Sequence, residues 1–487
     1  MSNRTTFSQR YYFDASYYKP GGPILLYLGG ETSGPSRFPL MQTGIIKILM
    51  EATNGLGIIL ENRYYGESFP FNLSTTDNLR FLTTEQTIAD NAYFAQHATF
   101  PGVTSNISLN APHSPWILYG GSLAGSQAAF SLKTYGGDGG IIWGGIATSG
   151  VTKAVVGYSQ WYAPIQELAP QDCVGSINGI VENIDRVFDT GNRTLINKMK
   201  GLFDMESLYD VDFARAIAFP IGGPFVYPGC TYQELNWDAS VDCPYFWEFC
   251  RNVTDLTASA NITSVDYALS EATNGEPWIN LGNYANYIKT AINPYCRHLP
   301  LNHTPHGHDF CFGTQNETYW ADVRPWPLKS FLYTSCTEIG FYQAAPESGP
   351  SLISKVLNVN YTQQWCRWAF PPGKYNSIPD SPDVDRINKY GGYNVVQKRL
   401  AHIDGAADVW RDACYHSTDA PERLTQNAIS AYENPQLLIA GAGHCWNSFG
   451  LGGLANVSIT PQFIQGAQYW IIRIVQKWVA EFHAQGS

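Results

Sequence analysis

Apolar residues in this chain gather into short continuous runs, and small or polar turn formers close each run. Ile24-Leu25-Leu26-Tyr27-Leu28 ends in Gly29-Gly30, Gly57-Ile58-Ile59-Leu60 runs into Glu61-Asn62, and Trp116-Ile117-Leu118-Tyr119 ends in Gly120-Gly121. Apolar runs this short, bounded by glycine, predict strands buried on both faces. Residues 7–13 alternate and predict an edge strand. Between the runs, residues 44–54 and 83–98 carry helical spacing, the second opened by the capping signal Thr83-Thr84-Glu85-Gln86. A further strand is predicted within Gly140–Ser149. This strand–helix–strand rhythm indicates a mostly parallel sheet with helices on both faces.

The rhythm stops after about residue 150. Residues 151–384 hold eight of the ten cysteines, many aromatics and helical stretches such as 176–189 and 192–208. Strand patterns return at 398–405 and 435–440, and an amphipathic helix closes the chain at 460–484. The expected organisation is a sheet domain in two parts, 1–150 and 385–487, with one inserted, mainly helical domain at 151–384. There is no internal repeat.

Composition narrows the class. A chain of 487 residues with 44% hydrophobic and 15% charged residues builds a large globular core. A net charge of −11 argues against a nucleic-acid partner, and no apolar run approaches the length of a membrane span. The cysteines form no Cys-x-x-Cys pair, so zinc or thioredoxin chemistry has little support, and no metal or cofactor is expected. Asn-x-Ser/Thr acceptors occur at Asn3, Asn72, Asn106, Asn192, Asn252, Asn261, Asn302, Asn316, Asn360 and Asn456. With an even cysteine count they point to the secretory pathway, disulfides and N-glycans. Met1-Ser2-Asn3-Arg4 shows no signal peptide, so the expectation is a mature chain carrying an added start methionine.

Candidate chemistry lies where the runs end. Gly120-Gly121-Ser122-Leu123-Ala124-Gly125 reads as a strand-to-helix turn with a serine at its apex. Such an elbow needs small neighbours, and the helix start behind it offers N–H groups to an oxyanion. The spacing departs from Gly-x-Ser-x-Gly, because Ala124 stands where the second glycine is usual. Leu123 would supply one oxyanion N–H, and Gly30 or Tyr64 a second. A serine hydroxyl needs a base, and the base needs an acid to orient it. Asp408 follows the 398–405 strand and His444 the last strand, in the order Ser, acid, His; Asp404 and Asp412 compete for the acid's role. Cys414 and Cys445 flank acid and base, and a disulfide between them would pin both loops.

At this point the chain resembles the serine peptidases that comprise lysosomal Pro-X carboxypeptidase, dipeptidyl peptidase II and the fungal acid prolyl endopeptidases. The resemblance rests on residues 7–12, Gly29-Gly30-Glu31, residues 61–68 (Glu-Asn-Arg-Tyr-Tyr-Gly-Glu-Ser), Glu85-Gln86 with Ala89-Asp90, Gly120-Gly121-Ser122, residues 335–343, Asp408-Val409-Trp410 and Gly443-His444-Cys445. It implies an α/β-hydrolase fold, a helical cap inserted after the sheet's sixth strand, cleavage on the carboxyl side of proline, and activity at acidic pH. It favours Asp408 as the acid. It also implies a secreted or vacuolar/lysosomal location and proline-containing peptides as substrates. Leu123 and Val409 depart from the family's usual Tyr and Pro.

A proline pocket needs flat apolar walls. Trp410 and Trp446 are candidates by their nearness to acid and base, and Trp365 and Trp368 follow. Glu31 and Glu338 are candidates for binding a substrate amine or, protonated, a carboxylate. A prolyl endopeptidase is the favoured reading. A proline-specific exopeptidase, a secreted esterase and a binding protein on a hydrolase scaffold are the alternatives.

Overall fold

The structure, a computed structural model, describes residues 6–223, 232, 245–294, 312–423, 430–448 and 460–485. Seven strands form one sheet: β1 (Tyr11–Asp14), β2 (Ile24–Leu28), β3 (Leu56–Leu60), β4 (Trp116–Gly121), β5 (Gly144–Thr148), β6 (Leu400–Gly405) and β7 (Gln436–Ile439). Their spatial order is β1-β3-β2-β4-β5-β6-β7. β1 lies antiparallel to β3, and every other pairing is parallel. Strands β2 to β6 are buried at every residue, which explains why β2, β3 and β4 appear in the sequence as short apolar runs. The two edge strands are only partly buried.

Helices α1 (Ile45–Thr53), α2 (Thr84–His97), α3 (Leu123–Tyr135) and α4 (Gln462–Gln485) belong to the same body. Thr83 caps α2 by accepting from Gln86 N at 3.2 Å, as the capping signal predicts. Residues Leu123–Leu132 of α3 are all buried. A helix covered on all sides is a fixed platform, and the candidate nucleophile stands at its start. This is the α/β-hydrolase fold.

The chain divides into two compact units otherwise than expected. One comprises Met1–Val156, Asp322–Gly340 and Ala369–Ser487; the other comprises Gly157–Ala321 and Phe341–Trp368. Residues 322–340 and 369–384, placed in the helical insert by sequence, therefore belong with the sheet. Their long-range bonds explain it. Ser330 Oγ donates to Tyr64 O at 2.9 Å, Thr84 N donates to Glu338 Oε2 at 2.8 Å, and Thr76 Oγ1 donates to Pro371 O at 2.7 Å. The second unit also follows the fifth strand of the sheet in chain order, where the family resemblance implied the sixth.

The second unit is built of helices. Gln171–Asp189 is its longest, beginning five residues before the predicted 176, and Arg193–Gly201 ends seven residues short of the predicted 208. Cys173 and Cys250 form a disulfide in this unit. Cys336 and Cys366 are also disulfide-bonded, while Cys230, Cys243, Cys296 and Cys311 lie outside the described residues. No helix among the described residues is long and apolar enough to cross a membrane.

Candidate active site

Five candidate residues follow the carboxyl ends of strands: Gly30 after β2, Tyr64 after β3, Ser122 after β4, Asp408 after β6 and His444 after β7. Parallel strands gather these ends along one rim, where functional loops of α/β folds lie.

Ser122 sits at φ 58°, ψ −126°, a backbone conformation that costs a non-glycine residue about 1–3 kcal/mol and persists only where the surroundings enforce it. The surroundings here are close. A Cβ on Gly120 would lie 2.0 Å from Ala124 O, and one on Gly125 would lie 2.8 Å from Gly150 Cα. The second obligatory glycine is therefore Gly125, which explains the irregular motif: the crowding against Gly150 falls one residue beyond Ala124. Ser122 N donates to Thr148 O at 3.0 Å and ties the turn to β5.

The acid and the histidine are joined. His444 Nδ1 lies 3.0 and 2.9 Å from Asp408 Oδ1 and Oδ2. An ionised carboxylate only accepts, so Nδ1 carries the proton and Nε2 is left as a base. Asp408 is fully buried and also accepts from Trp410 N at 2.8 Å. Burial pulls the His444 pKa down, but the Asp408 carboxylate, with Cys445, outweighs it and holds the imidazole well above its ordinary 6.5. The rival acids are engaged elsewhere. Asp404 Oδ2 lies 2.7 Å from His416 Nδ1, and Asp412 Oδ1 accepts from Thr418 N at 2.8 Å.

The histidine loop is fastened to the elbow. Cys445 N donates to Ser149 Oγ at 3.0 Å, Thr148 Oγ1 donates to Asn447 Oδ1 at 2.6 Å, and Asn447 Nδ2 donates to Tyr119 OH at 2.9 Å. Cys445 Sγ lies 3.0 Å from where a Cβ on Gly121 would stand, so the neighbour of the histidine touches the neighbour of the serine. Sequence reasoning missed Asn447 and Ser149; a polar side chain directly after β5, and one three residues after His444, were the available signals. Between Ser122 Oγ and the His444 ring the structure shows no hydrogen bond, a contact that often tightens only with substrate bound.

The other candidates separate. The N–H groups of Leu123 and Gly30 donate to no backbone carbonyl among the described residues. A Cβ on Gly30 would lie 3.3 Å from Ala124 Cβ, which sets Gly30 over the first turn of α3. Tyr64 is a correction: its N–H donates to Ser68 O at 2.9 Å and is not available to an oxyanion. Its motif is structural. Glu61 accepts from Gly34 N, Glu67 N and Ser68 Oγ, and Arg63 grips both oxygens of Asp90 at 2.6 Å.

Glu338 is a second correction. It is 1% exposed, and one oxygen accepts from Thr84 N and Oγ1 at the start of α2, with Arg386 3.4 Å from the other. Glu31 stays half-exposed, with Arg37 at 3.8 Å. Trp410 is buried against the acid, and Trp446 folds over Gly443, its ring 6.5 Å from Phe463. Trp365 is a third correction. It is fully buried in the second unit, stacked on Trp320 at 4.8 Å with Tyr361 against it, a packing residue rather than a pocket wall. Trp368 in the same unit is half-buried. The expected Cys414–Cys445 disulfide is absent: both are buried free thiols, and Cys414 Sγ donates to Trp410 O at 3.1 Å.

The chain belongs to the serine carboxypeptidase S28 family, whose sequence profile matches residues 1–453. It is 36% identical over 495 residues to the "Probable extracellular serine carboxypeptidase" of Arthroderma benhamiae, covering 97% of this chain and 64% of that protein. The chain thus spans somewhat less than two thirds of that relative. It is 27% identical over 502 residues to serine protease vicPa of Bipolaris victoriae, covering 99% and 87%. It is 36% identical over 463 residues to the human thymus-specific serine protease, covering 91% and 78%.

Proposed function

We propose that the chain is a secreted serine peptidase that cleaves on the carboxyl side of proline, with Ser122, His444 and Asp408 as its triad and an internal mode of cutting. The observation that carries the reading is the buried Asp408 carboxylate on His444 Nδ1, in a loop fastened to a strained serine turn. Ser122 Oγ attacks the substrate carbonyl while His444 Nε2 takes its proton. The N–H groups of Leu123 and Gly30 receive the oxyanion. His444 then protonates the leaving amine, and water, activated in the same way, releases the acyl group.

Trp410 supports the proline preference, because its backbone N–H is held by Asp408 and it offers a flat apolar face close in the chain to the acid. Trp446 is the second candidate wall. Secretion is supported by the name of the Arthroderma relative, and glycosylation by geometry: Asn72, Asn106, Asn192, Asn252, Asn261, Asn316 and Asn360 are all exposed. Asn3, Asn302 and Asn456 lie outside the described residues. The same relative's name, a carboxypeptidase, favours one alternative, removal of residues from a terminus; Glu31 beside Gly30 would then contact the terminal charge. Mass spectrometry of the products from a long proline-containing peptide, with both ends blocked and with both ends free, tests the reading. Cuts after internal prolines of the blocked peptide are expected from the wild type and none from Ser122→Ala. Cleavage of the free peptide alone would overturn the internal mode, and cleavage by Ser122→Ala the triad.

A further inference from the structure

The loop that carries the catalytic carboxylate is closed at its base by a second carboxylate–imidazole pair. Asp404 is the penultimate residue of β6, buried at 2% exposure. Its Oδ2 receives the His416 backbone N–H at 3.1 Å and sits 2.7 Å from His416 Nδ1. The eleven residues between them, 405 to 415, include Asp408 and Trp410. The loop is wound on itself: Arg411 N donates to Asp408 O at 3.0 Å, Arg411 Nη1 to Ala406 O at 3.1 Å, and Ala413 N to Trp410 O at 2.9 Å. Its leading end is tied to the end of β7 by Ala406 N donating to Ile439 O at 3.0 Å, and to the histidine loop by Ala407 N donating to Ala442 O at 2.9 Å. Its trailing end reaches β6 through His416.

We infer that Asp404 and His416 are positioning residues for the triad, a clasp that holds the 405–415 loop so that Asp408 meets His444 Nδ1. The inference rests on the triad proposed above. A single carboxylate oxygen takes two N–H donors from the residue that ends the loop. Removing the carboxylate, or the ring that donates to it, loosens the trailing anchor while the leading anchors remain. The loop then shifts Asp408 and, through it, the histidine, and even a displacement of an ångström or less in a catalytic group is costly.

The clasp is a hydrogen bond from a ring N–H to a buried carboxylate, a charge-assisted contact stronger than one between neutral groups. Asp404 and His402 face the ring from β6, and Tyr415 lies beside it with its ring centroid 5.2 Å away. Arg423 sits 3.8 Å over the far side of Tyr415. His402 stacks on Tyr415 at 4.0 Å, and burial brings its pKa down to about 3, so it stays neutral and does not compete. Asp412 and Cys414 are on the loop itself, the first engaged by Thr418 and the second by Trp410 O.

The test is kcat and KM against pH for Asp404→Asn, His416→Gln and Asp408→Asn on a chromogenic prolyl peptide. Unfolding temperature and the far-downfield proton resonance of His444 Nδ1–H are followed alongside. Both clasp variants are expected to lose about tenfold or more in kcat with KM little changed. In His416→Gln the Nδ1–H resonance of His444 is expected to broaden. If Asp404→Asn does not fold, His416→Gln carries the test. Clasp variants with kcat within twofold of wild type and an unchanged profile, in an enzyme that Asp408→Asn inactivates, would overturn the clasp and leave the triad standing. An active Asp408→Asn enzyme would instead overturn the triad.

Discussion

Replacing Asp408 by Asn changes one atom and should nearly abolish turnover. The geometry shows why. Asp408 Oδ1 accepts from Trp410 N at 2.8 Å and lies 3.0 Å from His444 Nδ1, while Oδ2 lies 2.9 Å from the same nitrogen. In the amide, the Trp410 N–H still needs an acceptor, so the carbonyl oxygen stays on its side. The NH₂ group then takes the place of Oδ2 and points a donor at Nδ1. Two donors at 2.9 Å repel, and the imidazole relieves this by moving its proton to Nε2. A protonated Nε2 cannot take the proton of Ser122. The expected loss in kcat is about 10⁴-fold, roughly 5.4 kcal/mol of transition-state stabilisation, with KM much less affected. The side chain is isosteric and keeps its Trp410 bond, so the folded yield and the unfolding temperature should remain near wild type. The assay is steady-state hydrolysis of a chromogenic prolyl peptide, with circular dichroism as the folding control. A folded Asp408→Asn enzyme that retains more than a tenth of wild-type kcat would refute the assignment of acid and tautomer together.

Two further predictions follow from the same site. Burial opposes but Asp408 dominates, so the His444 pKa stands well above 6.5, and kcat/KM should rise with pH through a limb above that value. The same raised pKa gives stability that is full below about pH 6.5 and lost as pH climbs through the folded value, so unfolding temperature should fall where activity rises; a rising limb below pH 6 would count against this and favour the acid-active behaviour that the family resemblance implies. At the elbow, a Cβ on Gly120 falls about 1.4 Å short of ordinary contact with Ala124 O, and one on Gly125 meets Gly150 Cα at 2.8 Å. Gly120→Ala and Gly125→Ala should therefore fail to give active folded protein, whereas Ala124→Gly, which restores the regular motif, should cost about 1 kcal/mol of helix stability and keep its kcat; a fully active Gly120→Ala enzyme would show that the turn is looser than described.

Much of the sheet was legible because β2, β3 and β4 are covered on both faces and appear as apolar runs. Ser122, Asp408 and His444 stood out as candidates because each follows a strand. What failed depended on pairings that no local pattern encodes. The Tyr64 N–H looked available until Ser68 O was found to accept it, four residues away across a turn. Glu338 looked like a ligand, since the sequence cannot show that its carboxylate meets the start of a helix 254 residues earlier. Residues 322–340 carry a helical pattern like the insert's own, and only their bonds to Tyr64 and Thr84 assign them to the sheet body. Trp365 had the right chemistry for a pocket, but a flat aromatic face serves core stacking equally well.

Three aspartates within nine residues, 404, 408 and 412, show how far spacing can go. Each is mostly or fully buried; Asp404 lies near the end of β6, and the other two follow that strand. What separates them is the donor that each carboxylate receives. Asp412 is taken by the N–H and hydroxyl of Thr418 and by Arg411, all within a few residues, and holds a turn. Asp404 is taken by both N–H groups of His416 and closes the loop. Asp408 receives one local donor, from Trp410, and its remaining capacity is directed at a ring from another strand's loop. A carboxylate whose donors are all local has nothing left to orient a catalytic group. The acid proposed for the triad is thus the aspartate that the local chain leaves least satisfied, and in the proposed clasp the two others, by holding the loop's turn and its base, fix where that unsatisfied carboxylate points.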